Sequence, residues 1–116
     1  MALRGIRGAT TVAVNSKDEI LAATKELLSK ILAENKFQAE EVASILFTVT
    51  DGLNAGFPAE AAREIGWNGT PLMCMQEISV PGSLSNCIRV LILLNTDKKQ
   101  QEMKHVYLRE AVNLRR

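Results

Sequence analysis

Apolar and polar residues recur along this chain with two different periods. Leu3-Arg4-Gly5-Ile6-Arg7-Gly8-Ala9-Thr10-Thr11-Val12 reads as an opening strand interrupted by glycine. Glycine inside a strand marks a bulge or a close backbone approach. Side chains alternate along a strand, so Arg4 and Arg7 fall on opposite faces, one toward solvent and the other toward a site. After a break the period changes. Ser16-Lys17-Asp18-Glu19 has the form of a capping box, and Ile20, Thr24, Leu27, Leu28 and Ile31 then fall on one helical face. The pattern predicts a helix from Lys17 to Glu34, ending near Asn35, whose apolar stripe needs a sheet to cover.

The period of two returns over Val42 to Thr50, where Ile45, Phe47 and Val49 share a face. Asp51 to Gly56 is a turn. Pro58 suits the first position of a second helix through Ala59-Glu60-Ala61-Ala62-Arg63-Glu64, stopping near Gly66. Asn68-Gly69 signals another turn. Pro71 to Ile78 reads as a third strand, polar at Gln76 and Glu77, and Val80-Pro81-Gly82-Ser83 turns the chain again. Ile88 to Asn95 is apolar nearly throughout, which predicts a central strand covered on both faces. Asp97 to Met103 is a polar connection, His105 to Leu108 a last strand and Ala111 to Arg116 a basic tail. The elements make one α+β layer, a sheet with two helices packed on one side.

Composition narrows the class. A chain of 116 residues is expected to form a single domain, 1–116, and 47% hydrophobic with 23% charged residues is ordinary for a soluble globular protein. Aromatics make up 4%, so aliphatic side chains must build the core. A net charge of +1 is no broad nucleic-acid footprint, so no nucleic-acid partner is expected. The aliphatic run Val90 to Leu94 is far too short to span a bilayer. Cys74 and Cys87 form no CxxC pair, and without a secretory leader they are expected as free thiols in a cytoplasmic protein.

Several chemistries can be set aside. The chain has no P-loop and no GxGxxG, and its single histidine, His105, has no second strong ligand near it in sequence for a zinc site. His105 reads as an ordinary strand residue, and Asn68-Gly69-Thr70 as a turn rather than a glycosylation acceptor. Arg7, Glu77 and Arg89 sit in or beside apolar runs, where charged side chains are seldom buried unless paired. They form either a satisfied ion pair or a concave anion site. Arginine suits the second role because its planar fork binds a carboxylate through two parallel hydrogen bonds. Composition and spacing name no reaction.

Arg4-Gly5-Ile6-Arg7-Gly8-Ala9-Thr10-Thr11-Val12, Cys74-Met75-Gln76-Glu77, and Cys87-Ile88-Arg89-Val90 with His105-Val106-Tyr107-Leu108 and Leu114-Arg115 resemble the short, monofunctional chorismate mutases of the AroH class. Phe57-Pro58-Ala59 followed by Ala62-Arg63-Glu64 fits as well. The likeness runs through essentially the whole chain in order. It implies a mixed sheet in a homotrimer, with active sites between subunits, and a rearrangement of chorismate to prephenate that uses no cofactor, metal or covalent intermediate.

The resemblance also implies roles. Arg89 lies against the ether oxygen and a carboxylate. Arg7 and Tyr107 hold the carboxylate end. Glu77 accepts the ring hydroxyl's proton in a hydrogen bond. Cys74 touches the same hydroxyl, with Met73, Met75 and Gln76 lining the wall. Phe57, Arg63, Leu114 and Arg115 close the cleft. Glu60 departs from the pattern, standing where a basic residue would help attract a dianion. The sequence also ends at Arg116 where relatives continue, so both departures bear on capture and closure. Two other readings remain open at this point, a trimeric imine or enamine deaminase and a non-catalytic anion-binding trimer. The Cys-Met-Gln-Glu and Cys-Ile-Arg-Val segments argue against the first.

Overall fold

Ser16 opens the longest helix. Its backbone is extended (φ −136°, ψ 150°) and its Oγ accepts a hydrogen bond from Glu19 N–H at 3.2 Å, which satisfies one of the helix's orphan donors. The reciprocal half of the expected capping box does not form, because Ser16 N–H is donated to Val14 O at 2.9 Å. The helix, α1, spans Lys17–Asn35 and buries Ile20, Leu21, Ala23, Thr24, Leu27, Leu28 and Ile31 along one stripe. It stops where Lys36 turns left-handed (φ 51°) and donates its N–H to Leu32 O.

The computed structural model describes residues 1–115, with the side chains of 1–114. Before α1 comes β1 (Ala2–Thr11); after it come β2 (Val42–Val49), α2 (Ala59–Glu64), β3 (Leu72–Gln76), β4 (Cys87–Thr96) and β5 (Val106–Tyr107). Single 3-10 turns cover Ala39–Glu41 and Gln100–Glu102, and a longer 3-10 segment runs Arg109–Arg115. The strands form one mixed sheet in the order β3-β2-β4-β1-β5. β4 runs antiparallel to both β1 and β2, while β3 lies parallel to β2 and β5 parallel to β1. Among the described residues no helix is long and apolar enough to cross a membrane.

Both helices cover one face. Ile6, Ile45, Phe47, Val90, Ile92 and Leu94 point into a core completed by Leu27, Leu28 and Ile31 of α1 and Ala59 and Ala62 of α2. Gly8 lets α1 come this close. A Cβ there would lie 2.7 Å from Ile31 Cδ1, 3.1 Å from Val90 Cγ1 and 3.2 Å from Leu27 Cδ1.

The opposite face departs from expectation. β4 is central, and Ile88, Val90, Ile92 and Leu94 are buried toward the helices; on the opposite face only Cys87 is buried, Leu91 and Leu93 are half-buried and Arg89 is exposed. The apolar run looked like a strand covered twice because it counts residues of both faces, whereas this chain's helices lie on one. Smaller differences follow from local geometry. Pro58 is the N-cap of α2, one position before the helix. The last strand is only Val106–Tyr107, with His105 just outside it. Within the expected basic tail the described residues continue the 3-10 segment Arg109–Arg115, which presses Ala111 onto Ala9 and Cys87. Those turns carry too few apolar residues to show a period.

Candidate active site

Strand alternation puts the charged residues on the open face. Arg89 is offset by one from buried Ile88 and Val90, and its ladder partners on the two neighbouring strands are Ala9 and Thr48. Thr48 in turn pairs with Met75. Glu77, just past β3, continues that ladder by donating its N–H to Val49 O at 2.8 Å. Tyr107 pairs with Ala9 across β5. The result is a hollow of about 270 Å³ lined by Arg7, Leu46, Thr48, Met75, Glu77, Arg89, Leu91 and Tyr107, with backbone from Gly8 and Val90.

Inside it Glu77 is held on both sides. Its Oε2 accepts from Thr48 Oγ1 at 2.6 Å and lies 3.4 Å from Arg89 Nη1. The Arg89 and Glu77 side chains are 46% and 27% exposed, so the pair adds about 0–1 kcal/mol to stability. Its value is orientation. Thr48 and Glu77 fix where one end of the guanidinium sits, leaving the rest of its fork to face the hollow. Arg7 enters from the next strand, its own backbone N–H donated to His105 Nδ1 at 2.9 Å. Histidine here is an acceptor that ties β1 to the start of β5, which agrees with a structural role.

A second cavity, of about 650 Å³, lies at the β3 edge of the sheet. Phe57, Cys74, Met75 and Gln76 line it, together with Lys17, Glu60 and the loop 53–58. Burial pushes the Cys74 thiol up, partly offset by a hydrogen bond from the Ala59 amide and by the Arg63 charge. A raised thiol stays protonated at neutral pH and is a poor nucleophile. Cys87, buried beneath Ala9 and Ala111, is pushed up further, to about 11, again by burial.

The residues expected at the site therefore fall into groups. Arg7, Met75, Glu77, Arg89 and Tyr107 meet in the smaller hollow, and Phe57, Cys74, Met75 and Gln76 in the larger cavity; Met75 belongs to both. Met73 is exposed on β3, Arg63 on α2 and Leu114 in the last 3-10 segment, and none of the three lines either space. The Arg115 side chain lies outside the described residues. Thr48 and Lys17 were not anticipated. The alternation that put Phe47 in the core already placed Thr48 on the opposite face, but no sequence signal brings Lys17 to the cavity. Among the described residues no three of His, Cys, Asp or Glu converge to hold a metal ion.

Known proteins resemble this chain over nearly its whole length. The profile of the family described as "Chorismate mutase type I" matches residues 3–116. A chorismate mutase AroH of Thermus thermophilus is 54% identical over 114 residues, 97% of this chain and 93% of that protein. One from Bacillus subtilis (strain 168) is 49% identical over 116 residues, covering 99% and 91%. The solved structure of a chorismate mutase from Clostridium thermocellum superposes with a TM-score of 0.92 at 53% identity, covering 94% of this chain and 97% of that one. Matches of this length leave the deaminase reading without support: the chain belongs to the type I, AroH-class chorismate mutase family.

Proposed function

We propose that the Arg7–Glu77–Arg89–Tyr107 hollow binds chorismate and that this chain rearranges it to prephenate there. The observation that carries the reading is the pairing of Arg89 with Glu77 at 3.4 Å, beside Arg7 and Tyr107, on a sheet face this chain leaves open. Chorismate is a dianion with a ring hydroxyl, and the hollow offers two guanidinium forks and one oriented carboxylate.

The reaction is a Claisen rearrangement. The ether carbon–oxygen bond breaks while a carbon–carbon bond forms, with electrons moving round a six-atom cycle. No proton moves, so the residues must position and polarise. Arg7 and Tyr107 hold a carboxylate, which keeps the enolpyruvyl arm over the ring near its reacting geometry. As the ether bond opens, negative charge gathers on its oxygen and positive charge on the ring. Arg89 stabilises the first and Glu77 the second, both already aimed before charge develops. Because Arg89 is held by Glu77, and Glu77 by Thr48, little reorganisation is needed at the transition state.

The assembly is a homotrimer in this reading, each site lying between two subunits. Half-buried Leu46, Leu91 and Leu93 on the open face, with exposed Leu3 and Met73, support a subunit contact there. The two hollows, which share only Met75 among their lining residues, support a site completed by a neighbour's Phe57 and Cys74, with Arg63, Leu114 and Arg115 closing it. Two free thiols support a reducing, cytoplasmic compartment.

The test is chorismate disappearance with purified protein and no added metal or cofactor, prephenate being identified by NMR. Saturable turnover is expected. A folded, assembled protein that binds chorismate without converting it refutes the activity and leaves a non-catalytic anion-binding module.

A further inference from the structure

An ion pair stands in the larger cavity without a structural task. Lys17 Nζ lies 3.3 Å from Glu60 Oε2, and the two side chains are 56% and 32% exposed. A pair this solvated contributes little to stability. Lys17 is moreover the first residue of α1, at the positive end of the helix dipole, where acidic residues such as Asp18 and Glu19 are the favoured kind. Local electrostatics therefore do not explain a lysine here.

Its placement is nevertheless constrained. A Cβ on Gly56 would come within 3.1 Å of Lys17 Cγ and 3.5 Å of its Cα and Cβ. The loop backbone lies across the lysine stem, and glycine at 56 permits that approach. The ammonium is thereby kept in the cavity that Phe57 and Cys74 line. Of the neighbouring charges, Glu64 pairs with Lys25 and also shares a side-chain hydrogen bond with Glu60 and feels the Lys17 charge, while Arg63 does not line the cavity. Residue 60 reaches this cavity from the first turn of α2. Here the residue is acidic, but a lysine from the other helix stands against it.

We propose that Lys17 is the substrate-attracting cation of this cavity and that Glu60 damps it. The inference rests on the reading above, in which this cavity wall is part of the chorismate site. With both present the mouth is neutral. An arriving carboxylate competes with Glu60 for the ammonium, so the pair sets how strongly the site draws a dianion and how readily it releases one.

The test uses four full-length proteins: wild type, Lys17→Gln, Glu60→Gln and the double variant. A unit charge about 8 Å from a dianion in a water-like dielectric changes affinity about fourfold at ~0.01 M ionic strength and about twofold at ~0.15 M. Glu60→Gln is expected to raise kcat/KM by those factors, chiefly through KM. Lys17→Gln is expected to lower it similarly, and the double variant to return to the wild-type value. Calorimetric titration with prephenate should give the same order of affinities. Turnover by wild type with a Glu60→Gln variant no better at low salt, or effects independent of salt, overturns this inference alone. Neither turnover nor prephenate binding by wild type refutes the chorismate reading, and the inference with it.

Discussion

Gly8→Ala tests whether the helix layer and the arginine-bearing strand are as closely fitted as the structure states. The added methyl meets three buried side chains, with Ile31 Cδ1 at 2.7 Å, Val90 Cγ1 at 3.1 Å and Leu27 Cδ1 at 3.2 Å. Ile31 and Leu27 are fully buried and Val90 is 4% exposed, so the tips have little room to retreat. Overpacking of this kind costs about 1–3 kcal/mol. Replacing glycine in a strand returns about 0.5–1 kcal/mol of chain entropy. The net loss is about 1–2 kcal/mol, or roughly 4–8 °C in Tm for a chain of this size. Thermal unfolding at fixed protein concentration reads it. Ile31→Val removes the nearest clashing atom and by itself costs about 0.5–1.5 kcal/mol. In the double variant the two losses should therefore sum to less than their separate values. Gly5→Ala, on the other face of the same strand, is the comparison: its Cβ meets only Leu91 Cδ1, at an ordinary 3.5 Å. Any cost at Gly5 measures what packs on the open face. A Gly8→Ala protein as stable as wild type, or strict additivity with Ile31→Val, refutes the close-approach account.

Other outcomes follow from the same geometry. Arg89→Ala should lose more than the ~10²–10³-fold in kcat typical of one oxyanion donor, because it removes charge and positioning together; a folded variant keeping most of its kcat ends that assignment. Glu77→Gln keeps the Thr48 contact but not the charge, so kcat should fall further than KM rises, and equal small changes in both would contradict the role given to it. Thr10 is fully buried and its Oγ1 has no hydrogen-bond partner among the described residues, so Thr10→Val should gain about 1 kcal/mol in denaturant unfolding; a loss would mean the hydroxyl is satisfied. Cys87 has its thiol raised by burial from 9.0 to about 11. The folded state favours the neutral thiol, so this contribution is whole below about pH 9 and disappears as pH climbs through about 11. The stability advantage of wild type over Cys87→Ala should shrink across that window, and a constant difference would refute it.

The reach of sequence reasoning can be followed residue by residue. Ser16 and the stripe Ile20, Thr24, Leu27, Leu28, Ile31 located α1 almost to the residue, because capping and helical period are local. β1, β2 and β4 were visible for the same reason. The central place of β4 was legible from its apolar run, but not that one face stays open. A hydrophobic string records that its residues want cover without recording who supplies it. The 3-10 segments left no trace, since single turns bury too little to impose a period. Their place in or beside apolar runs singled out Arg7, Glu77 and Arg89, and family likeness gave them roles. The hydrogen bond from Thr48 and the approach of Lys17 to Glu60 depend on pairings 29 and 43 residues apart (48 with 77, 17 with 60), and only the assembled sheet and helices bring those together.

The Cys74-Met75-Gln76-Glu77 run shows how one short segment can carry so much of a site. It occupies the edge strand, first in the order β3-β2-β4-β1-β5. Alternation sends Cys74 with Phe47, and Gln76 with Val49, toward the helix side, while Met75 pairs with Thr48 on the open side and Glu77 reaches the same hollow. In a central strand one of these faces would be walled in by neighbours. At the edge both stay accessible, so the four residues serve two hollows and Met75 forms the ridge between them. In the proposed trimer the two faces of this strand serve different sites. A neighbouring copy that sets its own Phe57 and Cys74 wall against the Arg89 face would make one site from two halves. On that view the open face and the divided cavity have one explanation: each subunit holds the charges for one site and the lining for the next.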